Sequence, residues 1–128
     1  MEIQPQSQSK YVENKSTFLG FLFRILDPAQ IKVIKQQVKT QHASAAHITY
    51  GGRIGGIVGY SDDREPPHTA GTQILSEIDR AELDCVVVFV VRYFGGKKLG
   101  KKNLALAYRE CAKNTINALL EAKNGNNN

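Results

Sequence analysis

The sequence predicts an α+β fold, a two-layer sandwich of helices on a sheet in the order β-β-α-β-α-β-α. Three observations carry that reading. Val86-Val-Val-Phe-Val-Val91 is a continuous apolar run of the kind found in a central strand covered on both faces. Residues 17–26, Thr-Phe-Leu-Gly-Phe-Leu-Phe-Arg-Ile-Leu, are rich in aromatic and branched side chains and stop at Asp27-Pro28. Three segments repeat apolar residues at spacings of three and four, which is helical periodicity.

Taken in order, residues 10–13 are the hairpin partner of the strand at 17–26. Asp27 then caps, and Pro28 opens, a helix whose inner face is Ile31, Ile34 and Val38 and whose outer face carries Lys32, Lys35 and Lys39. A short strand follows at residues 47–50. The five glycines between Gly51 and Gly59 suit a flexible turn or hairpin better than a packed element. Ile74, Leu75 and Ile78 mark a second helix from about Thr69 to before Asp84. The apolar strand comes next, and Leu104, Tyr108, Cys111, Thr115 and Leu119 line the inner stripe of a third helix over about residues 103–122. The polar start and the asparagine-rich tail have nothing to bury, so residues 1–9 and 123–128 read as disordered ends around a single domain of residues 10–122.

The chain has 128 residues, and its 17 lysines and arginines against 12 acidic residues leave a net charge of +5. That excess tilts partners toward phosphate or other anionic surfaces, though it is also common among purely solvated proteins. The two cysteines, Cys85 and Cys111, sit in apolar contexts without Cys-x-x-Cys spacing, which suits buried free thiols and a cytoplasmic location. Arg92 ends the longest apolar stretch after seven residues, far short of the ~20 needed to span a membrane. No feature specifies an oligomer, and a monomer is assumed.

Two runs concentrate chemistry at predicted element boundaries: Ser61-Asp-Asp-Arg-Glu-Pro-Pro-His-Thr-Ala-Gly71, and Arg92-Tyr-Phe-Gly-Gly-Lys-Lys-Leu-Gly100. Gly95-x-x-x-x-Gly100-Lys101 nearly spells a phosphate-binding loop, but Lys102 stands where a magnesium-binding Ser or Thr is required, and no later strand supplies an aspartate. What survives is a cluster of Lys97, Lys98, Lys101 and Lys102 around a turn and a helix N-terminus, read either as an anion site or as solvated lysines. Asp62, Asp63 and Glu65 form the opposite pole. They can hold a divalent cation, or they can cap turns and pair Glu65 with Arg64, Arg92 or a helix N-terminus. His42 and His47 need not converge, so no zinc site is assigned. His68 is a possible acid or base without a visible nucleophile beside it. No catalytic residue, metal or cofactor is assigned.

Gly59-Tyr-Ser-Asp-Asp-Arg-Glu-Pro-Pro-His-Thr-Ala-Gly71 resembles the Ser-Asp-Asp-Gly-Glu-Pro and Gly-Thr-Ala-Gly segments of the IMPACT family, also called the YigZ family. Val90-Val-Arg-Tyr-Phe-Gly-Gly-Lys-Lys-Leu-Gly100 resembles its Val-Val-Arg-Tyr-Phe-Gly-Gly signature. Lys15-Ser16-x-Phe18 and His42-x-x-x-x-His47-x-x-Tyr50 fall where that family has similar residues, and the match spans about residues 10–120. The resemblance implies a fold like the second domain of a small-subunit ribosomal protein, makes Gly71, Tyr93, Gly95, Gly96 and Gly100 structural motif residues, and implies a link to translation. Eukaryotic members restrain the amino-acid-starvation response by competing with the kinase of initiation factor 2 for its ribosome-associated activator. Arg64 stands where the family usually has glycine, Pro67-His68 replaces a small pair, and Lys101-Lys102-Asn103 occupies a stretch that is usually glycine-rich. The length leaves room for neither the ferredoxin-like C-terminal domain of bacterial relatives nor the RWD domain of eukaryotic ones.

The resulting expectation is a binding domain of translation rather than an enzyme. Arg92, Lys97, Lys98, Lys101 and Lys102 would face RNA, the ribosome or another anionic partner. Alternatively, Asp62, Asp63 and Glu65 with the adjacent Pro66-Pro67 would present a rigid acidic loop to a translation-control protein, with His68 counted among the binding residues; an uncharacterised enzyme is the third class. The two runs are expected to meet in space through a contact from Arg92 to Asp62, Asp63 or Glu65.

Overall fold

Alternating apolar residues interrupted by turn chemistry set the boundaries of the elements in the computed structural model, which describes residues 2–126. Strands β1 (Ser7–Glu13) and β2 (Ser16–Arg24) join through Asn14 and Lys15, both at positive φ (46° and 69°). That is the primed turn whose twist matches antiparallel strands. Helix α1 (Gln30–Gln41), strands β3 (His47–Ile54) and β4 (Ile57–Ser61), helix α2 (Gly71–Arg80), strand β5 (Val86–Tyr93) and helix α3 (Lys101–Asn126) follow. The sheet order is β1-β2-β5-β3-β4, and every pairing is antiparallel.

The apolar run does form the central strand. Val86, Val88 and Val90 pack with α2 and α3 through Ile74, Ile78, Tyr108, Cys111 and Ile116. Val87, Phe89 and Val91 point the other way, onto Ile34 and Val38 of α1. The α+β class is therefore realised with helices on both faces, and α1 adds a third layer to the expected two. Period-two alternation explains why the run had to be apolar throughout, since both of its faces are cores.

Several boundaries differ from the sequence reading. The glycine-rich stretch is a packed hairpin, so the order is β-β-α-β-β-α-β-α. A Cβ on Gly51 would lie 2.9 Å from the backbone N of Leu75, so α2 lies directly on β3 where only glycine leaves room. Helix α1 begins at Gln30 rather than Pro28. The Asp27 carboxylate accepts from Ala29 N at 2.7 Å and holds Pro28 and Ala29 in a preceding turn. Helix α2 starts at Gly71 instead of Thr69 and ends at Arg80. Finally, β1 starts at Ser7 and α3 continues through Asn126, so the ends are more regular than their polarity implies. Upstream of β1, Ile3 packs on the α1-side core and exchanges two 2.7 Å hydrogen bonds with the Gln37 side chain. Met1, Asn127 and Asn128 of the expected frayed ends lie outside the described residues.

Both cysteines are free, but only Cys111 is buried; Cys85 is half-buried. Burial pushes the Cys111 thiol up to about 12. In a timed thiol-labelling experiment at pH 8, one fast site at Cys85 is expected, with Cys111 reacting only as the chain unfolds. Gly51→Ala should lower stability by about 1–3 kcal/mol in urea unfolding, through the forced separation of α2 from β3.

Candidate functional site

Strand alternation puts Arg92 on the α2/α3 side, in register with Phe18 on β2 and His47 on β3. There its side chain is only 7% exposed, and a guanidinium at that depth requires a carboxylate. Glu65, 4% exposed, supplies it: Arg92 Nη1 donates to Glu65 Oε2 at 2.8 Å and to Oε1 at 3.1 Å. Tyr108, from the inner stripe of α3, donates its hydroxyl to Glu65 Oε2 at 2.5 Å. Burial and the adjacent carboxylate push the Tyr108 phenol far up, so it remains a donor. Arg92 Nε and Nη2 also reach Ser16 Oγ at 3.4 and 3.3 Å. The guanidinium carbon lies 5.7 Å from the Phe18 ring centroid and 5.6 Å from that of Phe94, within cation–π range. His47 completes the cluster, with Nε2 3.3 Å from Glu65 Oε1 and Nδ1 2.8 Å from the carbonyl of Asp63. A carbonyl only accepts, so Nδ1 carries a proton.

The loop that delivers Glu65 is held by its own acids. Asp62 accepts from the backbone N of His68, Ala70 and Gly71 at 3.0, 3.1 and 2.8 Å, satisfying donors at the start of α2. Asp63 accepts from Ile48 N at 2.6 Å and pins the loop to β3. Asp63, Arg64 and His68 all take positive φ, so three non-glycine residues turn the chain sharply here. The expected contact between the two runs therefore exists, through Glu65. Each of the three carboxylates accepts hydrogen bonds from within the fold; Glu65 is buried, while Asp62 and Asp63 stay partly exposed. His68 is exposed and contributes backbone groups, its carbonyl accepting from Thr72 Oγ1 and Gln73 Nε2. It stands apart from the Arg92 cluster. Among the described residues no group of His, Cys, Asp or Glu has metal-ligating geometry.

Past β5, Gly95 rests on the β1–β2 turn so closely that a Cβ would sit 2.0 Å from the carbonyl O of Lys15. Gly96 and Gly100 take φ of 90° and 76°, and Leu104 N donates to Gly100 O to open α3. Lys97, Lys98, Lys101 and Lys102 are exposed around this bend. Tyr93 alternates to the opposite face, where its hydroxyl meets His42 Nδ1 at 2.7 Å. Between the Glu65-Pro66 loop and residues 94–104 lies a cleft of about 380 Å³, floored by His47, Glu65 and Arg92 and rimmed by Phe94, Lys98 and Lys101. Its chemistry is that of an apolar, cationic recess over a satisfied polar floor. Sequence reasoning missed Tyr108, Ser16 and His47 as members. The available signal was a hydroxyl on the buried stripe of α3, where a phenol needs a partner.

Comparison with known proteins gives the geometry a context. The family model of the Impact N-terminal domain matches residues 14–116. YvyE, an IMPACT family member of Bacillus subtilis, is 31% identical over 118 residues, covering 90% of this chain and 54% of YvyE. An IMPACT family member of Thermus thermophilus, named for the pol 5′ region, is 53% identical over 64 residues, 50% of this chain and 35% of that protein. The chain thus spans about half the length, or less, of the curated relatives it matches. A crystal structure of a hypothetical protein superposes with a TM-score of 0.81 at 27% identity, covering 90% of this chain and 59% of that one. The two-domain translational regulator Yih1 shares the fold at a TM-score of 0.55 and 21% identity, covering 94% of this chain and 46% of its own.

Because removing one member of a buried pair strands the other, Glu65→Ala and Arg92→Met should each cost about 3–5 kcal/mol in urea unfolding. The double variant Glu65→Leu/Arg92→Met should recover most of that loss, since no uncompensated charge remains inside.

Proposed function

Since the chain belongs to the IMPACT family, we propose that it is a non-enzymatic, translation-associated binding domain that holds RNA through the basic bend between β5 and α3. The carrying observation is that Lys97, Lys98, Lys101 and Lys102 are exposed together and that, among the described residues, none of them has an acidic partner. The charge of Arg92 is already paired with Glu65, so in this reading the binding charge is the lysines'. Phosphate contact of this kind positions a nucleic acid without reading its sequence. The family resemblance and the description of Yih1 as a translational regulator support the translation setting. A partner protein reached through the acidic loop is the less favoured reading, because those carboxylates are engaged within the fold. No described helix is long and apolar enough to cross a membrane.

Structured RNA should bind at low salt with log K falling steeply against log salt. Replacing the four lysines by alanine should flatten that slope by about three, given ~0.7–0.9 per phosphate contact. A slope unchanged by the four substitutions, or no binding at 50 mM salt, would refute the reading.

A further inference from the structure

The lysines explain attraction to phosphate, but they leave the neighbouring cleft without a role. Its composition is unlike the surface around it. Pro66, Phe94, Leu99 and Leu104 give it apolar walls, and Lys98 and Lys101 stand at the edge. Phe94 is 54% exposed, in a loop whose other large apolar residue, Leu99, is buried at 7%. The floor asks for nothing: Glu65 is bonded by Arg92 and Tyr108, and no buried side-chain polar atom among the described residues lacks a partner. An occupant is therefore recognised by apolar contact with the walls and by charge at the rim, with little demand on the identity of its polar edge.

We propose that the cleft receives one unpaired nucleotide of single-stranded RNA, its base packed against Phe94 and the leucine wall and its phosphate on Lys98 and Lys101. This rests on the RNA reading above and adds the form of RNA that is preferred. The volume, about 380 Å³, falls in the range of small-ligand pockets and suits a single nucleotide. Charge favours a phosphodiester: the floor pair cancels, and the rim is positive. An aromatic face beside lysines is the arrangement by which single strands are held without sequence preference. A duplex cannot use it, because its bases present only their edges and its stacked faces are closed. An acidic peptide would satisfy the lysines while leaving Phe94 uncontacted.

The test compares a labelled 12-nucleotide single-stranded RNA with the same strand annealed to its complement, by fluorescence anisotropy at 50 mM salt, using the full chain. Tighter binding of the single strand is expected. Phe94→Ala should weaken it about ten-fold, the scale of one lost base–aromatic stack, and should leave duplex binding unchanged. Phe94→Tyr should retain the single-strand preference, which distinguishes stacking from a general effect of mutation. Phe94 is exposed, and matching urea unfolding curves would establish that both variants are folded. If the two RNAs bind equally, or Phe94→Ala weakens both alike or neither, the cleft proposal fails while the lysine reading stands. If neither RNA binds, both fail. A polyglutamate peptide that displaces the single strand from the native chain and from Phe94→Ala with equal potency would assign the cleft no part in RNA binding.

Discussion

A carboxylate and a guanidinium, both nearly removed from water, organise this molecule. Glu65 and Arg92 are the only acid–base pair among the described residues in which both side chains are under 10% exposed. Burying such charges costs several kcal/mol per ion unless geometry and further hydrogen bonds offset it. Here Tyr108 donates to Glu65 and Ser16 Oγ accepts from Arg92, with His47 Nε2 3.3 Å from Glu65 Oε1, and each of the three comes from a different element. Strands β2, β3 and β5, the loop after β4 and helix α3 thus converge on one buried ion pair. The Asp62–Glu65 loop cannot move away without stranding Arg92, and the end of β5 cannot move without stranding Glu65.

This inward use of acid has an outward consequence. Asp62 is spent on the first N–H groups of α2, Asp63 on β3 and Glu65 on Arg92. These acidic residues are engaged within their own loop and fold and none pairs with the neighbouring lysines, so the excess positive charge is left on the bend between β5 and α3. Gly95, pressed against the β1–β2 turn, fixes where that bend emerges. Charge segregation here is a product of packing: the loop that shapes the cleft places its Glu65 carboxylate in the floor, where Arg92 neutralises it.

The elements of the core were legible because their signals are local. A run such as 86–91 can only be a strand with two covered faces, and the α3 stripe repeats long enough to be read alone. The glycine hairpin was not legible. Gly51 looks like a flexible position until α2 is known to lie 2.9 Å from where its Cβ would stand, and that contact joins residues 24 apart in sequence. The third layer escaped for the same reason, since the periodicity of α1 shows which of its faces is apolar but not which face of the sheet receives it. In the site, opposite charges in the two runs were enough to anticipate Arg92 against the acidic loop. Choosing Glu65 from three acids was not possible, because Asp62 and Asp63 are drawn away by backbone N–H groups whose positions only the fold sets. Tyr108 was seen as a core residue, and its hydroxyl was the overlooked part.

Two departures from the family pattern acquire a physical meaning in this geometry. Arg64, which stands at the glycine of the Ser-Asp-Asp-Gly-Glu-Pro segment that the loop resembles, sits at φ 67° with its side chain 83% exposed and only a 4.0 Å approach to Asp63. A left-handed backbone costs an ordinary residue about 1–2 kcal/mol, and the anchors on either side, Asp63 to β3 and Glu65 to Arg92, are what hold it there. Lys101 and Lys102 open α3 with no acidic residue in its first turn, against the preference of a helix N-terminus for negative charge. Neither feature contributes to the core, and both add cations at the surface near the cleft. The electrostatic cost of Lys101 and Lys102 is of a kind that an anion relieves, because negative charge at the bend would interact favourably with the lysines and with the N-terminal dipole of α3 at once.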